Sequence, residues 1–252
     1  MLGGVIFDLG STLIYSTGEK NWGAIMPRMR ADLLHFLNAN GYALDPAEFL
    51  TRLAENYAAF DQQRQTDWVE YTTAYLITQT LKDLGQPAPP PALLESARRA
   101  YYAYSETLYT VLPDAHATLC RLRAAGLKLG LISNASDNEN VQRLIDQAQL
   151  RDYFDPIIVS AAVGLRKPNP RIFDLVLKPW GLQANECVMV GDTLGADILG
   201  AQLAGLRHVW LTAYADHPAN HAHRGNILPE AEIASLSDLP ALLERWSAAE
   251  TK

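Results

Sequence analysis

Asp8 closes the apolar run Gly4-Val5-Ile6-Phe7 and opens the segment Asp8-Leu9-Gly10-Ser11-Thr12-Leu13. Three further segments carry polar groups at or beyond the end of an apolar run. They are Ser133-Asn134, Lys167 within Gly164-Leu165-Arg166-Lys167-Pro168, and Gly191-Asp192 with Asp197 five residues on. As a set these groups suit phosphoryl transfer. A carboxylate can attack phosphorus and form an aspartyl-phosphate. An anion attacking an anion needs a divalent cation, and Mg²⁺ prefers hard oxygen ligands that include a few carboxylates. Asp8 and Asp192 are the candidate ligands, with Asp197 supporting them from an outer shell or through water. Lys167 would neutralise phosphoryl charge and hold the nucleophile. Ser133 and the backbone N–H groups after it would donate to phosphoryl oxygens.

Such a set works only if the chain brings it together. The apolar runs 4–7, 129–132, 187–190 and 208–211, with a fifth at 156–159, show no alternation, as expected for strands covered on both faces of a parallel sheet. Helical patterns separate them: Pro113–Ala125 stopped by Gly126, a helix opened by a capping box at Ser136-Asp137-Asn138-Glu139, one opened by Asn169-Pro170, Ala196–Ala204 closed by Gly205, and Ser235–Trp246. This alternation predicts an α/β, doubly wound core, in which ligands sit at the carboxyl ends of the strands. Residues 16–110 break it. They show no strand signal and four helical patterns: Trp22–Ala39, Asp45 (N-cap) to Gln63, Asp67–Leu84, and a last one after Pro87–Pro91 that runs to Thr107. The expected division is therefore a core of 1–15 and 111–252 and an inserted all-helical domain of 16–110.

The chain has 252 residues, 48% hydrophobic and 19% charged, with a net charge of −7. That is ample for a buried core. The acidic balance and the absence of a Lys/Arg run argue against nucleic acid as partner. No apolar stretch approaches a membrane span, and Asp8 interrupts the short apolar start, so neither membrane nor secretion is expected and a cytoplasmic location follows. Cys120 and Cys187 read as reduced core thiols. Nothing in the sequence sets an oligomeric state.

The segments Asp8-x-x-x-Thr12-Leu13, Ser133-Asn134, Lys167-Pro168 and Gly191-Asp192-Thr193-x-x-x-Asp197 resemble, in order and separation, the motifs of the haloacid dehalogenase-like hydrolase superfamily. The helical insert resembles that superfamily's C1-type cap. The resemblance implies a Rossmann-like core, an aspartyl-enzyme intermediate on Asp8, and Mg²⁺ held by Asp8, Asp192, Asp197 and the main-chain carbonyl of Gly10. It also implies Lys167 as a catalytic cation, Thr12, Ser133 and Asn134 around a small phosphorylated metabolite, and a cap that closes over the site. One position departs. Phosphatases of this superfamily carry a second Asp two residues after the nucleophile, as acid to the leaving group and base for water, and here that position is Gly10 followed by Ser11. Three readings stay open: a substrate whose leaving group needs little protonation, a proton shuttle from Ser11 or a cap residue, or a weakly active or non-catalytic binding protein on this scaffold. A 2-haloacid dehalogenase is a further alternative, disfavoured because the Gly191-Asp192 and Asp197 metal set is kept.

Other features read as structural. Lys20 and Lys82 suit solvated surface positions better than Schiff-base chemistry, and Arg166 suits a solvated or structural role better than substrate binding. His217, His221 and His223 suit an exposed polar loop better than a zinc site. Trp68, Tyr71 and Tyr75 are expected on one helix face, within a helical insert rich in aromatics.

Overall fold

The computed structural model describes residues 2–17 and 22–250. Lys20 lies outside them. Strands β1 (Gly4–Phe7), β4 (Lys128–Ser133), β5 (Ile157–Val159), β6 (Cys187–Gly191), β7 (Arg207–Leu211) and β8 (Ala231–Ile233) form one sheet in the order β5-β4-β1-β6-β7-β8. Every pairing is parallel. Alternate side chains of β1 feed opposite layers, as strand geometry requires. Val5 and Phe7 pack with Leu119, Ile145 and Leu243 on one face, and Ile6 packs with Phe173, Val176 and Ala201 on the other. The covering helices are α5 (Ala115–Ala124), α6 (Asn138–Gln147) and α11 (Leu239–Glu250) on the first face, and α8 (Arg171–Trp180) and α9 (Leu199–Ala204) on the second. The chain moves from β1 outward through β4 to β5, then returns to β6 on the other side of β1. The crevice between β1 and β6 is thus the topological switch point, where α/β sheets bind ligands.

Between β2 (Ile14–Ser16) and β3 (Tyr109–Val111) lie four helices, α1 (Trp22–Ala39), α2 (Pro46–Asp67), α3 (Thr73–Asp83) and α4 (Pro91–Glu106). They share their own apolar cluster, which includes Leu33, Leu37, Phe49, Leu53, Ile77 and Ala97. β2 and β3 pair antiparallel, and Thr17 N donates to Leu108 O at 2.8 Å, so the chain enters and leaves this block side by side. The absence of strand expected over 16–110 is therefore corrected at both borders, because two three-residue strands separated by the whole insert leave no local signature.

The helix expected over Asp67–Leu84 is also corrected. Asp67 ends α2, Trp68 takes a left-handed conformation with φ 56°, and α3 starts at Thr73 with Thr72 as N-cap. The connector instead docks on the core. Val69 bridges to Leu165, Glu70 N donates to Gly164 O, and Arg166 N donates to Trp68 O. Trp68 and Tyr71 therefore do not share a helix face with Tyr75; Tyr71 stacks on Phe60, which also touches Tyr75. Smaller shifts follow from capping. Asp137, not Ser136, caps α6 through Asn140 N, and the Leu194–Ile198 turn ahead of α9 is a π-turn. Residues 236–238 form a 3₁₀ turn before α11, and two four-residue helices follow β5 and β7, α7 (Ser160–Val163) and α10 (Pro218–His221), the second within the segment expected to be irregular. Cys187 is buried as expected, whereas Cys120 is exposed, facing out from α5 toward Tyr153. Lys82 is exposed, and no helix among the described residues is long and apolar enough to cross a membrane.

Candidate functional site

Three strand ends converge at the switch point. Asp8 follows β1, its N–H donating to Val190 O of β6 at 2.9 Å. Ser133 ends β4, and Asp192 follows β6. Lys167, on the loop beyond β5, is 2% exposed, and its ammonium hydrogen-bonds Asp8 and Ile132 and ion-pairs with Asp197 inside the site. Nζ lies 2.6 Å from Asp8 Oδ1, 2.7 Å from Asp197 Oδ1 and 2.7 Å from Ile132 O. Asn134 holds that loop in place: its Nδ2 donates to Lys167 O and its Oδ1 accepts from Lys167 N, both at 2.8 Å.

The metal-compatible group is Asp8, Asp192 and Asp197, each offering an oxygen within 4.8 Å of the others. Asp197 is set by the π-turn, a distortion frequent at functional sites. Its Oδ2 accepts from Thr193 N at 2.9 Å. A Cβ on Gly191 would collide with the Asp197 carboxylate, so only glycine lets the strand end approach it this closely. Thr12, fully buried, points its hydroxyl at Asp192 Oδ1, 3.5 Å away. It supports that carboxylate and is absent from the wall of the cleft.

That cleft, of about 380 Å³, is lined by Asp8, Gly10, Ser11, Ser133, Asn134, Arg166, Lys167, Asp192 and Asp197 among others. Three buried carboxylates face one ammonium. Burial, reinforced by Asp197 and Asp192, pushes Asp8 up to about 7 against the pull of Lys167. Burial also raises Asp192, opposed by His217. For Lys167, burial works against its charge, but Asp197 and Asp8 outweigh it and hold the ammonium above the usual lysine range. An excess of buried carboxylate with hard oxygen donors aimed at one point fits a small divalent cation.

Two residues of the 212–227 loop belong to this site, which corrects the expectation of an exposed polar loop. His217 Nε2 lies 3.1 Å from Asp192 Oδ2 and its side chain is largely covered. Asn220 is fully buried. Its Nδ2 donates to Asp192 O and Ala215 O, and its Oδ1 accepts from Leu194 N. Together with Trp210 Nε1, also on Asp192 O, it fixes the backbone beneath the carboxylate. His221, by contrast, is exposed and paired with Asp216, so the three histidines do not converge. Nothing in the local sequence singles out Asn220, because its partners lie across the fold. Replacing Asn220 with Ala strands the Leu194 N–H and leaves Asp192 O one donor short. The expected cost is about 2–3 kcal/mol in urea unfolding, together with weaker divalent-cation binding. An unchanged midpoint would show that water replaces the amide.

The Ala135 N–H, expected at a phosphoryl oxygen, is instead taken by Ser160 Oγ at 2.9 Å, and Ser160 Oγ in turn donates to Glu70. The buried Glu70 is thus tied to the strand-end loop, another link that spacing did not reveal.

A family model of haloacid dehalogenase-like hydrolases matches residues 2–205. The chain is 32% identical over 244 residues to N-acylneuraminate-9-phosphatase of Homo sapiens, covering 95% of this chain and 93% of that protein. It is 29% identical over 176 residues to glyceraldehyde 3-phosphate phosphatase of Pyrococcus abyssi, covering 64% and 74%. In structure it is similar to a 2-haloacid dehalogenase from Pseudomonas syringae pv. Tomato DC3000, with a TM-score of 0.69 and 26% identity over 98% of this chain and 100% of that one.

Proposed function

The chain belongs to the haloacid dehalogenase-like hydrolase family, and on that premise we propose that it is a Mg²⁺-dependent phosphatase of a small organic phosphate, acting through an aspartyl-phosphate on Asp8. The observation that carries this reading is the buried cluster in which the carboxylates of Asp8, Asp192 and Asp197 converge while the one ammonium among them, Lys167, pairs with Asp8 and Asp197. Carbon–halogen displacement has no use for three converging carboxylates, whereas phosphoryl transfer needs a divalent cation.

In this reading Asp8, Asp192 and Asp197, with the Gly10 carbonyl, hold the metal. When bound, Mg²⁺ supplies charge neutralisation between two anions. Asp8 uses the oxygen not held by Lys167 to attack phosphorus as the bond from phosphorus to the leaving oxygen breaks, and water then cleaves the aspartyl-phosphate, releasing phosphate and restoring the Asp8 carboxylate. Lys167 fixes the attacking carboxylate and offsets phosphoryl charge, and Ser133 donates to a phosphoryl oxygen. Asn134 and Thr12 act one step back, the first by locking the Lys167 backbone and the second by orienting Asp192. Residues 16–110 form the cap domain over a core of 1–15 and 111–252, and the Glu70–Ser160 and Trp68–Arg166 contacts describe the closed position, which excludes water during transfer. Tyr109 lines the cleft and, with Asn140, also lines a second cavity walled by Tyr57, Tyr71, Tyr101 and Tyr102 of residues 16–110, so a substrate whose leaving group needs little protonation and a proton delivered by the cap both remain compatible with Gly10.

The test is phosphate release from acetyl phosphate and p-nitrophenyl phosphate in Mg²⁺ and in EDTA. We expect turnover in Mg²⁺, a drop of about 100-fold in EDTA, and recovery on adding metal back. Halide release from 2-chloropropionate in EDTA, with no phosphate release in Mg²⁺, would replace this reading with dehalogenation.

A further inference from the structure

Lys167 is spent on Asp8 and Asp197, so one cation remains on the wall of the cleft. Arg166 lines it, with a side chain only 20% exposed. Burial works against its charge, yet it is poorly compensated. Glu70 reaches Nε at 3.8 Å, beyond hydrogen-bond length, and Nη1 is buried with no hydrogen-bond partner among the described residues. Glu70 is itself shared. It accepts from Ser160 Oγ at 2.8 Å and lies 3.7 Å from Arg64 Nη1. The Arg166–Glu70 pair is looser than those of Arg143, which closes on Glu106 at 2.6 Å, and Arg98, which closes on Asp137 at 2.7 Å, the lengths of charge-assisted bonds. The backbone of Arg166 is pinned from both sides, by the Trp68 carbonyl and by Lys167 next to it, whose own N–H is held by Asn134. A backbone-fixed guanidinium with only a loose ion pair, part of its side chain exposed on the wall of a site that would take phosphate, is placed to meet an anion.

We propose that Arg166 is the subsite for a carboxylate on the leaving portion of the substrate, which makes the substrate class a phosphorylated carboxylic acid, and that Glu70 is a positioning residue that steers the guanidinium without consuming it. The inference rests on the phosphatase reading. A carboxylate suits better than a second phosphate because three carboxylates already crowd this cleft, and a doubly charged group would add more repulsion than one guanidinium offsets.

The test uses two three-carbon esters that differ in that group, 3-phosphoglycerate and glycerol 3-phosphate, titrated calorimetrically in Mg²⁺ into the full-length Asp8→Asn protein, which cannot turn them over. We expect 3-phosphoglycerate to bind at least about tenfold more tightly, or 1.4 kcal/mol. The double variant Asp8→Asn/Arg166→Met loses the preference, Asp8→Asn/Arg166→Lys keeps part of it, and Asp8→Asn/Glu70→Gln keeps it in reduced form. Equal binding of the two esters by Asp8→Asn, or an undiminished preference without Arg166, overturns the assignment. If Arg166→Met fails to fold, the ratio for Arg166→Lys against the parent decides. Phosphate release from acetyl phosphate by the wild-type protein separates the two failures. Release without a carboxylate preference sinks only the subsite, and no release from any phosphate sinks the phosphatase reading and the subsite with it.

Discussion

Replacing Asp8 with Asn abolishes phosphate release from both acetyl phosphate and p-nitrophenyl phosphate, by at least about 10⁴-fold, as removal of a nucleophile does in other covalent mechanisms. The amide fills the same volume but neither attacks phosphorus nor adds charge to the metal site. Residual activity near wild type would remove Asp8 from the chemistry. A stability readout accompanies this loss. Burial lifts the Asp8 carboxyl to about 7 in the metal-free protein, well above its unfolded value of about 3.9. Between those values the native state holds a proton that the unfolded chain has released, so the stability due to Asp8 is present below about pH 4 and is lost as pH rises toward 7. In EDTA the wild-type protein should therefore lose stability across pH 4–7 relative to Asp8→Asn. Mg²⁺ addition at pH 6 should release protons from the wild type, and fewer from the variant. Parallel stability profiles for the two proteins would show that Asp8 is ionised throughout, held so by Lys167.

The second large effect runs the other way. Gly10→Asp should accelerate alkyl phosphates such as glycerol 3-phosphate by about 10²–10⁴-fold, the usual worth of a positioned general acid–base. Acetyl phosphate should change little, because acetate leaves without a proton. The position has room: a Cβ there meets nothing within 4 Å, and Gly10 is not among the positive-φ glycines. It also lines the cleft beside Asp8 and Ser11. Leaving-group dependence, measured as turnover against the basicity of the departing alcohol, should be steep for the wild type and shallow for the variant. If Gly10→Asp brings no gain on alkyl esters, an existing group, with Ser11 the nearest candidate, already moves the proton.

How much of this was legible in the sequence depended on whether the relevant contact left a local trace. β1, β4, β6 and β7 did, because strands covered on both faces must be apolar throughout, and their ends were visible where Asp8, Ser133 and Asp192 broke the pattern. Asp45 before Pro46 and Gly205 after α9 marked helix ends by known capping chemistry. Trp68 misled because its left-handed turn carries no glycine; docking of Val69 and Glu70 on the loop at 164–166 overrides the helical propensity around it. β2 and β3 were invisible because each is three residues long and its partner is about ninety residues away. At the site, carboxylates after strands could be named in advance. Asn220, His217, Glu70 and Ser160 could not, since a buried polar residue is recognised by its partners, and theirs come from distant elements. Arg166, expected to be solvated or structural, changed meaning once its weak pairing and its place on the cleft wall were seen together.

The position of β1 in the middle of the sheet has a consequence for synthesis. Gly4 pairs with Lys128 on one side and Cys187 on the other. At about 5–20 residues per second of translation, β1 waits roughly 10–40 s for both neighbours to be made. Until β4 is made this apolar segment has two open hydrogen-bonding edges in the nascent chain, and one stays open until β6 follows. The helical block, whose contacts are local, can fold meanwhile and hold the flanking strands β2 and β3 together. The insert then shortens the loop that β1 must close before its partners arrive, a service to assembly that is separate from anything it does over a substrate.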